Sequence, residues 1–383
     1  MRIGLNLLHA MPEIGGGWNY IARLVSALGV GEESFNTYVC FVTSKSSSLV
    51  PDKTNFERII VRLNSVSRPK RIFYENTILQ LSARVHRLDL MHWFSNTMSI
   101  VSSVPCVVTV HDLQYLERPD QFPLIQRLYL RIMTTYTIRH ASFLLPVSQY
   151  TAKSIKSVFN ANYKRMMVIP AIVDHGFQPV DNKKVIDFRC KHDLPENFWL
   201  YVAHFYSQSH KNHKRLLEAY HELIKQGFIP WPLVLRGDDH GELNELKKLI
   251  SELGMDKNVI FLPRLAEEEL PALFSAASAL VFPSLYEGGG IPVLEAMACG
   301  CPVIASNIPT TREFGGDAVL MFDPLIIKSI SDTMRNFQED LPQRLRFRQH
   351  AFERILCHRP EYIQKKIIAS YNDAKRQPVL KGA

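Results

Sequence analysis

The chain has 383 residues, 46% hydrophobic and 21% charged, a balance that excludes a mainly disordered polypeptide. At roughly 100–200 residues per domain it predicts two folded domains. No run approaches the ~18 consecutive apolar residues of a membrane span, so an integral membrane protein is not expected, while the formal charge of +8 admits nucleic acid, anionic lipid or phosphorylated small molecules as partners.

In chain order, short Val/Ile/Leu-rich runs alternate with helix-like segments, the pattern of strands covered on both faces. The first half predicts strands at Arg2–Leu8, Thr37–Val42, Glu57–Arg62, Leu88–His92, Cys106–His111, Phe143–Val147 and Met167–Ile169. Helices are expected over Trp18–Leu28, Ile72–Arg87, Leu124–His140 and Gln149–Phe159. The opening run reads as a first strand rather than a signal peptide, because Asn6 and His9 interrupt it and no small-residue cleavage pattern follows.

A stretch with Pro179, Pro195 and mixed charges reads as a linker, and then the pattern restarts. Strands are expected at Phe198–Val202, Pro232–Arg236, Val259–Leu262, Ala279–Pro283, Pro302–Ser306 and Val319–Phe322. Their helices are His213–Gln226, Leu243–Leu253, Glu267–Ala276 and Gly290–Ala298, with a last helical stretch at Gln349–Lys375. The expectation is an α/β protein of two Rossmann-like domains facing across a cleft. Residues 1–175 form the first domain, 176–195 the linker, 196–350 the second domain, and 351–383 a helical segment packing back on the first. Ligands of such sheets bind outside the carboxyl ends of the strands, so the loops after strands are where chemistry is sought.

Gly15-Gly16-Gly17 opens the first helix. Glycines there let backbone N–H groups and the helix dipole meet an anion, although a plain flexible turn has the same composition. Thr109-Val110-His111-Asp112 ends a buried-looking strand with two polar groups. His111 there can donate to a substrate hydroxyl; a turn-stabilising pair is the plainer reading. After the strand Phe198–Val202 come His204, His210, Lys211, His213 and Lys214. No carboxylate or cysteine sits at matching spacing, so a metal site is not expected. Positive charge beside a helix N-terminus is unfavourable unless an anion answers it, which favours a phosphate.

Six cysteines without a CxxC pair, and Cys299-Gly300-Cys301 off any usual zinc spacing, read as free thiols in a reducing cytosol.

The strongest signal is the segment from Phe282 to Ala305, in which a strand ends, Gly288-Gly289-Gly290 expose backbone N–H groups, and a helix begins. Glu287 precedes that loop and Glu295 follows eight residues later, expected about two turns into the helix and ~10 Å along the same ligand. Carboxylates accepting from hydroxyls at each end, with N–H groups between them, suit a sugar, a diphosphate and a ribose.

This segment closely resembles the E-x7-E motif of retaining GT-B glycosyltransferases of family four. The resemblance extends through the glycine loop, His111-Asp112, Val147-Ser148, Val168-Ile169-Pro170, Lys211-Asn212 with Leu216-Leu217-Glu218-Ala219, and Phe261–Ala277. It implies that Glu287 meets hydroxyls of the transferred sugar and Glu295 the nucleotide ribose. Gly289, Gly290 and Ile291 would meet sugar and diphosphate through their backbones, and Gly16 the diphosphate. Lys211 would neutralise the leaving diphosphate, and His111 would lie beside the reacting sugar. Three positions depart from the family wording. His204, followed by Ser207-Gln208-Ser209, stands for a usual arginine, so that His204 or His210 would assist Lys211. Gly289 stands for a usual Phe, and Ala171-Ile172 for Asn-Gly before Asp174.

The implied activity is transfer, with retention, from a nucleoside-diphosphate sugar to a glycan or lipid-linked acceptor. GDP-mannose is the first choice of donor by similarity to bacterial surface-polysaccharide mannosyltransferases, with UDP-sugars next. No protein nucleophile, metal or other cofactor is implied. A non-hydrolysing sugar-nucleotide epimerase lacks the E-x7-E wording, and a phosphorylase would need a pyridoxal-phosphate lysine. An inactive nucleotide-sugar-binding module sits poorly with intact Glu287, Glu295, Lys211 and His111. No nucleic-acid motif appears.

Residues 1–180 hold 19 Lys+Arg against 11 Asp+Glu, whereas the remainder holds 26 of each. The whole excess thus lies in the domain that the resemblance makes the acceptor side. Arg68, Lys70, Arg71, Arg84 and Arg87 are therefore expected to form a face for anionic headgroups or a phosphate-linked lipid acceptor, with diffuse steering of donors as the alternative. The expected location is cytoplasmic, peripheral on the inner face of the cell membrane.

Overall fold

A computed structural model gives the architecture and describes residues 1–11, 16–30, 36–63, 68–161, 163–206 and 210–377. Gly15 and Ser207-Gln208-Ser209 lie outside the described residues. The chain divides into two units, Met1–Ile172 with the segment from His358, and Val173–Cys357.

Unit 1 is built on β1 (Arg2–Asn6), α1 (Gly16–Leu28), β2 (Thr37–Val42), β3 (Phe56–Ile60), α2 (Arg68–Asn76), α3 (Ile78–Val85), β4 (Leu90–Trp93) and β5 (Cys106–Val110). The short α4 (Gln114–Glu117), α5 (Leu124–His140), β6 (Phe143–Pro146) and α6 (Gln149–Phe159) follow. All six strands are parallel in the order β3-β2-β1-β4-β5-β6. Leu5 of β1 pairs with Cys40 on one side and His92 on the other. The chain reverses its direction of strand addition between β1 and β4, and loops diverge at such a point to leave a crevice. Val39, Phe41, Trp93, Val108 and Leu144 form the core.

Unit 2 starts with α7 (Asn182–Lys191), β7 (Trp199–Val202), β8 (Phe205–Tyr206), α8 (His213–Lys225), β9 (Leu233–Arg236), β10 (Asp239–His240), α9 (Leu243–Glu252) and β11 (Val259–Leu262). It continues with α10 (Leu270–Ala276), β12 (Ala279–Phe282), α11 (Ile291–Ala298), β13 (Val303–Ser306), α12 (Pro309–Gly315), β14 (Val319–Phe322), α13 (Ile327–Glu339) and α14 (Leu341–Ile355). Its six-stranded sheet repeats the topology as β11-β9-β7-β12-β13-β14, again all parallel. Trp199, Tyr201, Leu235, Val281 and Phe337 are buried in its core.

The last helix, α15 (Pro360–Lys375), belongs to unit 1. Ile363, Ile367, Tyr371 and Ala374, spaced along one helical face, are fully buried, the two isoleucines contributing about 1.5–3 kcal/mol each. Gln364 Nε2 donates to Val30 O at 2.6 Å, and Lys375 pairs with Asp89 at 2.9 Å.

Several sequence expectations change. The 176–195 linker contains α7, capped by Asp181, which accepts from Lys184 N at 2.9 Å, and it belongs to unit 2. With Phe188 its buried residue, α7 carries too little apolar periodicity to be legible. Residues 351–357 stay with unit 2, so the segment joining unit 1 begins at His358 rather than 351. The stretch Ile72–Arg87 splits at Thr77, where Thr77 Oγ1 bonds Phe73 O at 2.6 Å and Asn76 Nδ2 bonds Ile72 O at 2.7 Å, side chains competing for helix carbonyls. Gln349–Lys375 is likewise two helices, the second restarting at Pro360 in its first turn. Met167–Ile169 runs beside β6, Met167 N donating to Leu144 O at 3.1 Å and Ile169 N to Pro146 O at 2.9 Å, but the pairing amounts to one isolated bridge, Leu144 with Met166, and not a strand.

Candidate active site

In unit 2 the loop 283–290 leaves β12 and enters α11. Gly290 caps that helix at φ 56°, a left-handed conformation, and a Cβ there would lie 2.1 Å from Phe314 Cζ. Both facts require glycine. The helix starts at Ile291, so Glu295 lies one turn in rather than the expected two, and Glu287 is in the loop.

The 210–212 segment is bolted to the same loop. Leu285 N donates to His210 O at 2.7 Å, and Asn212 Nδ2 donates to Pro283 O at 3.0 Å and Pro324 O at 2.8 Å. Asn212 itself takes φ 62°, which turns the chain into α8. This geometry delivers Lys211 Nζ to Glu287 Oε1 at 2.7 Å. Burial pushes the Glu287 carboxyl up, but the Lys211 ammonium and, after it, His210 outweigh the burial and hold the group below the usual carboxylate range. Glu295 is buried, 5% exposed, and electrostatically close to Arg236, at the carboxyl end of β9.

In unit 1, His111 follows β5 at the corresponding sheet edge. Its backbone N donates to Asn96 Oδ1 at 2.8 Å, Asn96 Nδ2 donates to Asp112 O at 2.9 Å, and the Tyr20 ring meets the imidazole edge-on at 5.1 Å. Nε2 lies 2.9 Å from Phe94 O, so it carries the proton. Burial lowers the His111 pKa and favours a neutral ring, against the Phe94 carbonyl and Asp112. Its other nitrogen therefore accepts, so the hydroxyl donation expected from sequence is reversed. Gly16 and Gly17 open α1, and a Cβ on Gly16 would meet nothing within 4 Å.

Two family models match the chain: "Glycosyltransferase Family 4" over residues 14–177 and "Glycosyl transferases group 1" over 182–354. The chain belongs to this glycosyltransferase family.

A curated relative, O-antigen chain mannosyltransferase B of Escherichia coli, is 30% identical over 236 residues, 61% of this chain and 61% of that protein. Two solved structures show the same GT-B fold. Sucrose-phosphate synthase from Thermosynechococcus elongatus superposes with a TM-score of 0.77 at 20% identity, over 97% of this chain and 98% of that one. Anabaena HepE in complex with UDP gives 0.74 at 17% identity, over 97% and 99%.

In this family member, unit 2 gathers Lys211, Glu287, Gly289, Gly290, Ile291 and Glu295 around the carboxyl ends of its sheet. His204 does not supply the cation that the usual arginine would. Its Nδ1 accepts from Asp238 N at 3.4 Å, and burial lowers its pKa. Arg236 was missed by the sequence reading. Among the described residues its Nε is buried with no hydrogen-bond partner, and Asp238 and Glu295 partly offset the burial that pulls its pKa down. The usable signal was an arginine ending a buried strand.

Unit 1 holds a second missed group, Asn6, His9 and Glu75. Asn6 Nδ2 donates to Glu75 Oε1 at 3.0 Å, Arg71 Nε lies 3.7 Å from the same oxygen, and His9 Nε2 lies 3.2 Å from Phe94 O.

The five basic residues do not form one face. Arg71 turns inward to Glu75, its side chain 21% exposed. Arg68 and Lys70 begin the helix after β3, at the carboxyl edge of the sheet, whereas Arg84 and Arg87 lead into β4 at the amino edge.

Proposed function

We propose that the protein is a retaining hexosyltransferase that moves a sugar from a nucleoside-diphosphate donor to a glycan or lipid-linked acceptor in cell-surface polysaccharide or glycolipid synthesis. GDP-mannose is the first candidate, supported by the mannosyltransferase relative, and UDP-sugars the second. The observation that carries the reading is the Lys211–Glu287 pair beside the N-terminus of α11. A diphosphate arriving at this loop competes with Glu287 for the Lys211 ammonium, and sugar hydroxyls replace the donor that the carboxylate gives up. As the leaving group departs, Lys211 and the backbone N–H groups of Gly289, Gly290 and Ile291 at the start of α11 stabilise the growing charge. Glu295, one turn further on, accepts from the ribose hydroxyls, and Gly16 approaches the diphosphate.

On this reading the leaving phosphate takes the acceptor proton, so no protein nucleophile is assigned. His111, neutral with an accepting nitrogen, serves the reacting sugar. The chain's own cations answer the leaving charge, and transfer is expected to persist in EDTA. The test is release of free nucleoside diphosphate and sugar transfer with GDP-mannose, UDP-glucose and dTDP-sugars. Turnover with an α-linked product from an α-linked donor supports the reading. Tight donor binding without turnover would support a binding module instead, and an inverted product would refute retention.

A further inference from the structure

The first half of α5 turns its apolar side outward. Leu124, Ile125, Leu128, Tyr129 and Ile132 follow the i, i+1, i+4, i+5, i+8 spacing of one helical face, yet are exposed by between 40% for Tyr129 and 86% for Ile125. Such a stripe normally packs on a core; here the core side of α5 is supplied by Thr134, Thr137 and Ile138 in its second half. The helix contains no Asp or Glu, while Arg127 and Arg131 lie among the apolar positions.

Helix α2 lies beside this stripe: Tyr129 is electrostatically close to its Arg71, Glu75 and Arg68. Arg68 and Lys70 are exposed on the same helix. The nearby acids are committed elsewhere: Glu75 to Arg71 and Asn6, and Glu117 to the Tyr150 hydroxyl, while Asp120 lies 3.7 Å from Arg118 in the turn before α5.

We propose that this face of α5, with the flanking cations, docks unit 1 on an anionic lipid bilayer by inserting its apolar side chains at the headgroup boundary. Apolar residues framed by arginines, with Tyr at the margin, are the composition that partitions into a charged interface. A second copy fits poorly. A two-fold contact sets the same patch against itself and would bring Arg127 and Arg131 toward their equivalents with no carboxylate on α5 to answer them. The position is apt, because α5 starts from the loops after β5, the edge that carries His111. Only the link to a lipid-linked acceptor rests on the proposed function; vesicle binding is read without donor or acceptor, so either reading can fail alone.

The experiment is co-sedimentation of the full chain with phosphatidylcholine vesicles with and without phosphatidylglycerol, at low and high salt. The wild type is expected to bind the anionic vesicles and release as salt rises. Replacing Leu124, Ile125, Leu128 and Ile132 by Ser should lower binding by about tenfold or more. The pair Arg127→Glu and Arg131→Glu should lose the preference for phosphatidylglycerol. Should the four-serine chain fail to fold, Ile125→Trp reads insertion directly, as a blue-shifted emission difference from wild type on anionic vesicles. Equal binding to neutral and anionic vesicles, an unshifted Trp, or unchanged binding by a folded four-serine variant would overturn the proposal. So would a solution dimer that the four-serine variant dissolves, or capture of acidic polypeptide in place of vesicles.

Discussion

Lys211 Nζ reaches Glu287 Oε1 at 2.7 Å across 76 positions of sequence, because Asn212, in a left-handed turn, bonds the carbonyl of Pro283 in the loop that carries Glu287. One side-chain amide thus sets the distance between the two groups on which the proposed chemistry depends.

Lys211→Ala and Glu287→Ala are each expected to lower transfer by about 10²–10³-fold, the scale for removing one preorganised stabiliser of developing charge. Product formation with GDP-mannose, measured beside an unchanged circular-dichroism spectrum, checks this. Near wild-type turnover in either variant would remove the pair from the mechanism.

The same pair gives a pH signature. In the wild type the Glu287 carboxyl is held below its ordinary value, so its contribution to stability is present above about pH 4.5 and is lost as pH falls. In Lys211→Met the buried carboxyl loses its main cation and its pKa rises, so that variant should lose stability as pH increases. Melting temperatures between pH 4 and 8 should therefore diverge toward neutral pH. Parallel curves would contradict the pairing.

Gly290→Ala is predicted to cost about 1–2 kcal/mol for the left-handed conformation, plus about 1–3 kcal/mol for overpacking against Phe314. Adding Phe314→Leu should recover part of the second contribution and none of the first. Urea midpoints of the single and double variants separate the two.

In unit 1, His92 is fully buried, with Nδ1 2.8 Å from the Tyr371 hydroxyl and Nε2 2.9 Å from Thr109 Oγ1. Burial pushes its pKa down to about 3, with a smaller push from His111. The unfolded imidazole protonates near pH 6.5 and the folded one does not, so stability should fall as pH drops from about 6.5 toward 3, by up to ~1.4 kcal/mol per pH unit for this group. His92→Gln should make the slope shallower by one proton. An unchanged slope would mean that His92 is charged in the folded protein.

Truncation after Cys357 removes α15, and with it Ile363, Ile367, Tyr371 and Ala374 from the unit 1 core. The truncated chain should lose the cooperative unfolding of unit 1 while unit 2 still resists protease. Intact protease resistance in both units would contradict this dependence.

The sequence by itself determined both sheets, because strands covered on both faces are written as short Val/Ile/Leu runs and the helices between them as amphipathic periods. It also singled out Glu287, Glu295, Lys211 and His111, since the strand-end positions and the E-x7-E wording are local patterns. What it left dark depends on contacts between distant segments. Nothing near Arg71 shows that it turns inward to Glu75, or that Asn6 holds that carboxylate, because β1 and α2 meet only when the sheet forms. The proton on His111 Nε2 is fixed by the carbonyl of Phe94, on a neighbouring strand's loop. For α5 the sequence predicted a helix over Leu124–His140 without assigning its faces, and the packing of Thr137 and Ile138 decided which side faces the core and which meets solvent. Periodicity records that a helix has two faces; burial, which is collective, decides which of them is covered.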